Sequence, residues 1–458
     1  MQHDCSFVPD VLTNGRSSTE ESVLEAHSRD EGPHEGHRPD IVVWPDSVGE
    51  IADLLAAANE RAIPVTPWSG GTSIEGNPIP VSGGIVLDTY DFDEIEVRPD
   101  DLQAVVGPGV VYDDLNGELR SSNLRFAPGI AAGDVATIGG MIANNASGLN
   151  AVRYGVTGDH VLRLEVVLPD GRVIQCGRDV PKSTAGYNLR DLFVGSEGTL
   201  GVITEATLSL EAIARHRRAG LVTFPSSVKA SQAVSAVMAS GLTPAALEFI
   251  DARLVELLNA YTDDADLPIA PLLLIELHGD SGGLGPQMDR VRTICEAHDA
   301  VRWSEAGIDD IDTVWRVRRD AYPAACEYYA DRTVGVIGDV VVPISKYPEI
   351  VRRIESISTD LDVVTPCVGH AGDGNVHFLP IVDVEDPEAM ASVRKLNDEI
   401  VGAALALGGT ATGEHGTGIG KRKFMRQEHG DAVDLMIGIK DLIDPNGIMN
   451  PGKTLPED

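Results

Sequence analysis

The sequence contains few cysteines, and their spacing argues against a cysteine-based metal or redox centre. Its 458 residues include five cysteines that lie far apart, with no C-x-x-C motif. This excludes a built-in zinc ribbon or iron–sulfur cluster, and it predicts reduced thiols. Long apolar runs are absent as well. No uninterrupted stretch reaches the roughly 18 residues of a membrane-spanning helix, so we predict no transmembrane segment.

Basic residues are also scarce, and lysine is the scarcest charged type. There are 36 Lys and Arg against 71 Asp and Glu, which gives a net charge of −35, and only eight of the basic residues are lysine. Such a chain repels phosphate backbones and anionic membranes, so nucleic acid is not expected as a partner. An acidic, lysine-poor surface is typical of proteins that stay soluble in concentrated salt. We therefore expect a halophilic protein.

The remaining composition is that of a globular protein. Hydrophobic residues make up 43% of the chain and charged residues 23%, and the length suggests two or three domains. The first residues, MQHDCSFVPD, contain neither the basic region nor the apolar run of a signal peptide. We therefore expect a cytoplasmic location.

Alternating strand and helix patterns predict an α+β fold. The buried-looking strand IVVW is followed by Ser47 and Glu50, which predict a capping box that opens a helix through Arg61. From about Ala219 onward, strands and helices alternate in a way that favours a separate α+β domain with an antiparallel sheet.

The sequence contains three glycine-rich segments, at residues 67–77, 136–148 and 194–204. The first directly follows a predicted strand, and the third leads into one. Glycine lets the backbone approach a pyrophosphate closely, and consecutive backbone N–H groups bind phosphate without lysine. Any one of the segments could be an ordinary turn, but three together favour an extended dinucleotide. No G-x-G-x-x-G follows the first strand, which disfavours a nicotinamide-binding Rossmann domain.

The C-terminal half carries the segments GHAGDGNVH (369–377) and TGEHG (412–416). His370 and His377 flank a tight turn, and Glu414 could complete a set of two nitrogens and one oxygen around a metal. Such a set leaves positions open for substrate, and His415 would then be available as a base. The alternative is that these side chains merely cap and hydrogen-bond the turns.

At this point the motifs show a resemblance to a known family. The segments PWSGGTSIEGN, PGIAAGDVATIGGMIANNASG, RYG, GYNLRDLFVGSEGTLGVITEATL and NPGK, in this order, resemble the FAD-linked oxidases of the vanillyl-alcohol oxidase type. More narrowly, they are similar to D-lactate dehydrogenases and the FAD subunit of glycolate oxidase. The resemblance covers the chain from about residue 40 to residue 453.

The resemblance implies a fold and a flavin site. It implies that residues 36–214 form a FAD-binding domain of the p-cresol methylhydroxylase (PCMH) type, which has two subdomains. It implies that residues 215–458 form an α+β substrate (cap) domain with an antiparallel sheet. The C-terminal segment of this second domain is expected to return to the FAD domain. The flavin-binding positions that it implies are Ser69, Gly70, Gly71, Thr72, Ser73, Pro128, Gly129, Thr137, Gly139, Gly140, Asn144, Ser147, Gly148, Gly198, Ile203 and Asn450. Because the first loop has no His or Cys at a flavin-tethering position, we expect the FAD to be non-covalent.

The resemblance also implies roles in the C-terminal half. It places a divalent metal, often zinc in the family, on His370, His377 and Glu414, with His415 as the base. The W-x-x-R pattern places Arg318 against the substrate carboxylate, which a planar guanidinium can bind in a bidentate manner. The alternative for Arg318 is an ion pair with one of the abundant acids.

The implied reaction is the oxidation of a small D-2-hydroxy acid to the 2-oxo acid. D-lactate is the first candidate and glycolate the second, with the C2 hydride passing to flavin N5 and the metal lowering the pKa of the hydroxyl. Relatives that take 2-hydroxyglutarate carry Asn at the position of Leu379, so Leu379 favours a shorter substrate.

Several alternatives stay open. They are a D-2-hydroxyglutarate dehydrogenase, another oxidase of the same flavin fold, and a non-catalytic flavin or metal-binding subunit of an electron-transfer complex. The expected electron acceptor is not NAD but a quinone, a cytochrome or an electron-transfer flavoprotein. A homo-oligomer also stays open.

Overall fold

The structure is a computed structural model that describes residues 3–262, 267–306 and 311–456. Contacts within the chain separate two compact units. The first unit comprises the chain up to Ser147, Val156–Ile213 and the segment from Glu414 onward. The second comprises Gly148–Gly155 and Ala214–Gly413. Among the described residues, no helix combines the length and apolar composition that crossing a bilayer requires.

The first unit contains two small sheets and a two-stranded ribbon. Its strands are β1 (Arg16–Ser18), β2 (Ile41–Trp44), β3 (Val65–Trp68), β4 (Ile85–Asp88), β5 (Ile95–Arg98), β6 (Gln103–Val106), β7 (Leu124–Arg125), β8 (Val161–Val167), β9 (Val173–Gly177), β10 (Val202–Ser209) and β11 (Glu211–Ala212). The first sheet has the order β1-β2-β4-β3, in which β2, β4 and β3 are parallel. The second sheet is antiparallel with the order β5-β6-β10-β8-β9, and β11 pairs with β7.

Short helices connect these strands. They are α1 (Val8–Val11), α2 (Glu21–Ala26), α3 (Val48–Glu60), α4 (Tyr112–Leu119), α5 (Ile138–Asn144), α6 (Ala151–Tyr154), α7 (Thr157–His160) and α8 (Arg190–Phe193), of which α6 belongs to the second unit. Helix α3 buries Ile51, Leu54 and Leu55 against β2 and β3, so its apolar face forms part of a hydrophobic core of the first unit.

The predicted capping box at the start of α3 is only half correct. Ser47 Oγ accepts the Glu50 N–H at 3.3 Å, as expected. The Glu50 carboxylate, however, accepts backbone N–H groups from Asp46 and from residues 13–15 instead of the Ser47 N–H. Burial raises the pKa of Glu50, but these N–H groups outweigh it and lower the pKa to about 2. The side chain therefore anchors the N-terminal segment to α3.

The second unit is built on one large antiparallel sheet. Its strands are β12 (His216–Thr223), β13 (Ala246–Ile250), β14 (Leu272–Gly279), β15 (Arg302–Ala306), β16 (Thr333–Val334), β17 (Gly338–Val341), β18 (Cys367–Gly369), β19 (Asn375–Phe378) and β20 (Ile381–Val382). Seven of them form the order β15-β12-β14-β13-β18-β19-β17, and β16 pairs with β20. The predicted α+β class with an antiparallel second sheet is confirmed.

Helices cover both faces of this sheet. They are α9 (Ser227–Ala239), α10 (Ala252–Tyr261), α11 (Ser281–Ala297), α12 (Ile311–Arg319), α13 (Ala321–Glu327), α14 (Tyr347–Asp360) and α15 (Pro387–Ala406). Alternate residues of β13 point to opposite faces: Phe249 contacts Tyr347 of α14, whereas Glu248 pairs with Arg318 of α12. A central strand thus directs an acidic side chain beneath α12.

The chain from Glu414 onward returns to the first unit and carries α16 (Met425–His429) and α17 (Ala432–Ile443). Beyond these helices it runs beside β3, where the Val65 N–H donates to Ile448 O at 2.7 Å and the Asn450 N–H donates to Val65 O at 2.8 Å. Buried Ile448 and Met449 join the core beneath α3. The predicted return of the C-terminal segment is therefore present.

Candidate active site

The predicted flavin-binding loop at 69–73 leaves the carboxyl end of β3, which is where open parallel sheets bind ligands. Gly71 has a φ of 68°, and a Cβ there would lie 2.5 Å from the Trp68 ring, so this turn requires glycine. Ser69 Oγ donates to Pro108 O at 3.5 Å, and the Gly139 N–H donates to the same oxygen at 2.8 Å. Pro108 therefore lies between the first and second glycine-rich segments.

The second segment forms α5, and the third lies against it. Thr137 caps α5 by accepting the Gly140 N–H at 3.4 Å, and Asn144 is half-buried at the other end of the helix. The Glu197 N–H donates to Ala143 O at 2.9 Å, which brings Gly198 to the end of α5. The structure thus collects three predicted flavin-binding segments around the end of β3.

Glu197 is a residue whose role the sequence analysis missed. Its buried carboxylate accepts the Thr417 N–H at 2.6 Å and the Gly418 N–H at 2.8 Å, and burial raises its pKa. The Glu197 carbonyl accepts the side-chain amide of buried Asn450 at 2.7 Å, and Asn77 O accepts the same amide at 2.9 Å. These bonds join the returning C-terminal segment to the glycine-rich loops.

The remaining flavin-binding positions are more dispersed. Pro128 is buried in the irregular segment after β7, Ile203 lies on β10, and Gly148 begins the short segment that belongs to the second unit. Gly129 and Ser147 are half-buried in irregular backbone. The assignment of these five positions to the flavin stays a prediction, as does that of the other eleven.

In the second unit, His370 and His377 lie on either side of the turn between β18 and β19. Both are buried, and their ring centroids are 5.3 Å apart with the planes nearly perpendicular. The turn is tight because Gly374 adopts a φ of 88° and its N–H donates to Ala371 O at 3.2 Å. The two imidazoles that the sequence predicted as neighbours are therefore close together.

Glu414 follows Gly413, the last residue of the second unit, by one peptide bond. The Gly413 N–H donates to Asp339 Oδ2 at 2.6 Å, which fixes the backbone just before Glu414. Within the described residues, His370, His377 and Glu414 each offer one ligand atom, and these atoms all lie within 4.8 Å of one another. Two imidazole nitrogens and a carboxylate oxygen suit zinc and similar divalent ions, so the residues present fit such a metal.

A buried carboxylate lies beside each histidine, and strand register places both carboxylates. His377 on β19 is paired with Asp339 on β17, and Asp339 Oδ1 lies 3.8 Å from His377 Nδ1. Phe249 is paired with Gly369, so the next residues in register are Glu248 and His370. His370 Nδ1 donates to the Glu248 carboxylate at 2.9 Å, which leaves Nε2 as the ligand atom.

Glu248 also accepts the Arg318 Nε–H at 2.7 Å, so the arginine predicted for the substrate carboxylate has an internal partner. Burial raises the pKa of Glu248, but the charges of His370 and Arg318 and their hydrogen bonds hold it below its ordinary value. The sequence analysis missed Glu248. The available signal was one acid inside the apolar strand ALEFI.

Leu379 does not support the argument about substrate length. It is 1% exposed and packs with Val368 and Ile381 in the core of the second unit. Because its side chain fills this core, its difference from Asn is explained by packing. The expectation of a short substrate therefore rests on other grounds.

A second buried acid, Glu276 on β14, contacts the middle of α12. It accepts hydrogen bonds from Arg217 at 2.6 Å, from His278 at 2.5 Å and from the Trp315 indole N–H. Tyr154 OH lies 2.7 Å from the other His278 nitrogen. Burial raises the pKa of Glu276, but these donors lower it to about 2.

We predict that Glu276→Gln lowers the free energy of unfolding by about 2–4 kcal/mol at pH 7. The folded pKa of about 2 lies below the ordinary 4.5, so the charge stabilises the fold above pH 4.5 and this contribution is lost as the pH falls toward 2. The difference in the free energy of unfolding between wild type and variant should therefore become smaller as the pH falls from 4.5 toward 2. Urea unfolding, monitored by tryptophan fluorescence at several pH values, measures this free-energy difference.

The matched control is Glu305→Gln on the neighbouring strand pair β12–β15. Glu305 is the ion-pair partner of Arg218, at a distance of 2.7 Å, and the substitution removes this partner. This ion pair is partly exposed, so its loss should cost less than about 1 kcal/mol. If the two variants lost the same free energy of unfolding, this would contradict the prediction that the buried charge of Glu276 contributes more than an exposed one.

Comparison with known proteins agrees with this geometry. Residues 213–454 match the family described as FAD linked oxidases, C-terminal domain, and residues 39–177 match the FAD binding domain. The chain belongs to the FAD-linked oxidases. The resemblance seen in the motifs is thereby confirmed, and the FAD-linked oxidase is an oxidoreductase with a flavin cofactor.

Curated relatives of this FAD-linked oxidase cover most of its length. A probable mitochondrial D-lactate dehydrogenase of Danio rerio is 35% identical over 446 residues, covering 95% of this chain and 88% of the relative. A mitochondrial D-lactate dehydrogenase [cytochrome] of Arabidopsis thaliana is 36% identical over 421 residues, covering 91% and 74%. The glycolate oxidase subunit GlcD of Bacillus subtilis is 34% identical over 437 residues, covering 94% and 92%.

Solved structures share the fold of this FAD-linked oxidase. A crystal structure of p-cresol methylhydroxylase with substrate bound has a TM-score of 0.80 at 16% identity, covering 98% of this chain and 95% of that one. A 4-ethylphenol oxidase from Gulosibacter chungangensis has a TM-score of 0.78 at 17% identity, covering 96% and 94%. The predicted PCMH-type architecture is confirmed.

Proposed function

We propose that this FAD-linked oxidase oxidises a small D-2-hydroxy acid to the 2-oxo acid, with D-lactate as the first candidate and glycolate as the second. The names of its relatives support this substrate class. The observation that carries the proposal is the set of His370, His377 and Glu414, together with Arg318 on the carboxylate that supports His370. Such a set suits a substrate with an ionised carboxylate beside a hydroxyl.

The proposed roles follow from the chemistry of each side chain. When bound, FAD would supply the acceptor for the C2 hydride, and a divalent ion, which we propose to be zinc, would supply the positive charge that lowers the pKa of the C2 hydroxyl. His370, His377 and Glu414 would hold this ion. His415, whose Nε2 lies 3.7 Å from Glu414 Oε1, would take the hydroxyl proton, since imidazole accepts protons near neutral pH.

Arg318 would orient the substrate. Its Nε–H is used by Glu248, and the four N–H donors on its terminal nitrogens are the groups that we assign to the substrate carboxylate. The Glu248 pair thus fixes the plane of the guanidinium before substrate arrives. The division into a FAD-binding domain at 36–214 and a substrate domain at 215–458, which includes the C-terminal segment that returns to the first unit, is part of this proposal.

The electron acceptor and the setting of the enzyme are also proposals. One relative is named for a cytochrome, which supports a cytochrome, a quinone or an electron-transfer flavoprotein rather than NAD as acceptor. The net charge of −35 supports a salt-rich cytoplasm as the working environment. Salt would also screen the acidic exterior from an anionic substrate.

An anaerobic substrate panel tests the proposed function. We expect D-lactate to bleach the flavin absorbance rapidly, glycolate more slowly and L-lactate hardly at all, with faster bleaching in molar KCl than in dilute buffer. A flavin that no 2-hydroxy acid reduces would favour a non-catalytic electron-transfer subunit, and reduction by D-2-hydroxyglutarate alone would favour the longer substrate. A rate that fell steadily with salt, in protein shown to stay folded, would contradict the salt-rich setting.

A further inference from the structure

Glu248 is a single buried carboxylate that contacts two functional side chains. His370 Nδ1 lies 2.9 Å from each of its oxygens, and Arg318 Nε lies 2.7 Å from Oε2. Glu248 is fully buried and the Arg318 side chain is 13% exposed, so little water screens either contact. The negative charge of Glu248 is therefore divided between an imidazole and a guanidinium.

The position of Glu248 makes this arrangement rigid. It lies in the middle of β13, which is bonded to β14 on one side and to β18 on the other. Its chain neighbours Leu247 and Phe249 are buried on the opposite face of the sheet. A carboxylate held in this way can fix the orientation and the tautomer of a ligand imidazole.

We propose that Glu248 is a positioning residue that couples the metal site to the substrate arginine. This inference rests on the metal assignment in the proposed function. A carboxylate bonded to a ligand imidazole makes it a stronger donor to the metal, and Arg318 draws on the same negative charge. Removing the charge of Glu248 should therefore weaken metal binding, whereas removing the charge of Arg318 should strengthen it.

These opposite signs separate coupling from a merely structural role. If Glu248 and Arg318 only supported the fold, substituting either one would loosen the site and weaken the metal. An increase in metal affinity on removing Arg318 shows that its charge opposes the metal, and the loss of this increase in the double variant Glu248→Gln/Arg318→Met shows that it does so through Glu248. The sign of the Arg318→Met effect excludes a merely structural role, and its dependence on the Glu248 carboxylate is the decisive observation.

The experiment measures zinc affinity by competition with a chromophoric chelator, using FAD-loaded protein first stripped with EDTA. We expect Glu248→Gln to bind zinc about 10–100-fold more weakly than wild type. We expect Arg318→Met to bind it at least about threefold more tightly, since one opposing charge has been removed nearby. Circular dichroism and FAD content verify that each variant is folded.

Two controls match the charge changes. Glu276→Gln removes a buried carboxylate from the adjacent strand, where it contacts Trp315 on the same helix as Arg318. Arg316→Met removes an exposed positive charge from that helix. Both should leave zinc affinity within about twofold of wild type, because neither group touches a metal ligand or its supporting carboxylate.

The outcomes distinguish this inference from the proposed function. Unchanged affinity in Glu248→Gln, or weaker binding in Arg318→Met, overturns the coupling and leaves the metal assignment intact. A wild-type protein that takes up no divalent ion overturns the metal assignment and the coupling together. If Glu248→Gln does not fold, unchanged or weaker zinc binding in Arg318→Met still overturns the coupling.

Discussion

Replacing Glu414 with alanine is expected to lower turnover by at least about a thousandfold while the protein stays yellow. Glu414 supplies the only carboxylate of the His370, His377 and Glu414 set, and losing it leaves two neutral imidazoles to hold a dication. Metal assistance contributes several kcal/mol to such a reaction, and each 1.4 kcal/mol is tenfold in rate. Turnover of D-lactate with a dye acceptor, zinc content and flavin absorbance are measured on the same sample.

The chain offers a matched control for this variant. Glu428 also directly precedes a histidine, and the His429 Nε2 to Glu428 Oε1 distance of 3.6 Å resembles the 3.7 Å between His415 and Glu414. Glu428→Ala should therefore leave metal content and turnover near wild type. Full activity of wild-type protein after EDTA treatment, with zinc shown to be absent, would refute the metal role of Glu414.

Replacing His415 with alanine is expected to slow flavin reduction by D-lactate about 10²–10⁴-fold, the usual contribution of a general base. Zinc and FAD should both remain bound, because His415 is not one of the three grouped ligands. Stopped-flow absorbance under anaerobic conditions measures the reductive step directly. The two variants thus differ in what they retain: His415→Ala keeps the metal, whereas Glu414→Ala loses it.

His429→Ala is the control for this second prediction, since His429 is partly exposed at the end of α16 and follows a glutamate as His415 does. Its reduction rate should match wild type. A normal reduction rate in His415→Ala would remove His415 as the base, and a loss of zinc in that variant would make it a ligand.

The sequence predicted most elements correctly and indicated the residues that we propose as metal ligands, because both depend on local patterns. Short, nearly continuous apolar runs specify buried strands such as β13 and β14, and the spacing of His370 and His377 around a glycine turn already placed the two rings together. Turn residues and helix caps act over a few positions. The capping box of α3 failed only where its acid found partners far away in the chain.

The residues that escaped prediction are buried acids with distant partners. Glu248 meets Arg318 and His370 at separations of 70 and 122 residues, and Asp339 meets Gly413 at 74. A lone acid in an apolar strand indicates an internal partner without saying which one. Leu379 is the opposite case. It is close to His377 in the sequence, but its side chain belongs to the hydrophobic core.

The sequence by itself therefore determined the family, the α+β class and the histidines and glutamate that we assign to the metal. Only the tertiary structure decided which acids lie beside these groups. Asp339 lies opposite His377, and Glu248 lies against His370 and Arg318. Glu197 joins the returning C-terminal segment to the glycine-rich loops. The physical reason is that side-chain chemistry and periodicity are encoded locally. Pairing between strands depends on their order and register, which form only when the whole sheet assembles.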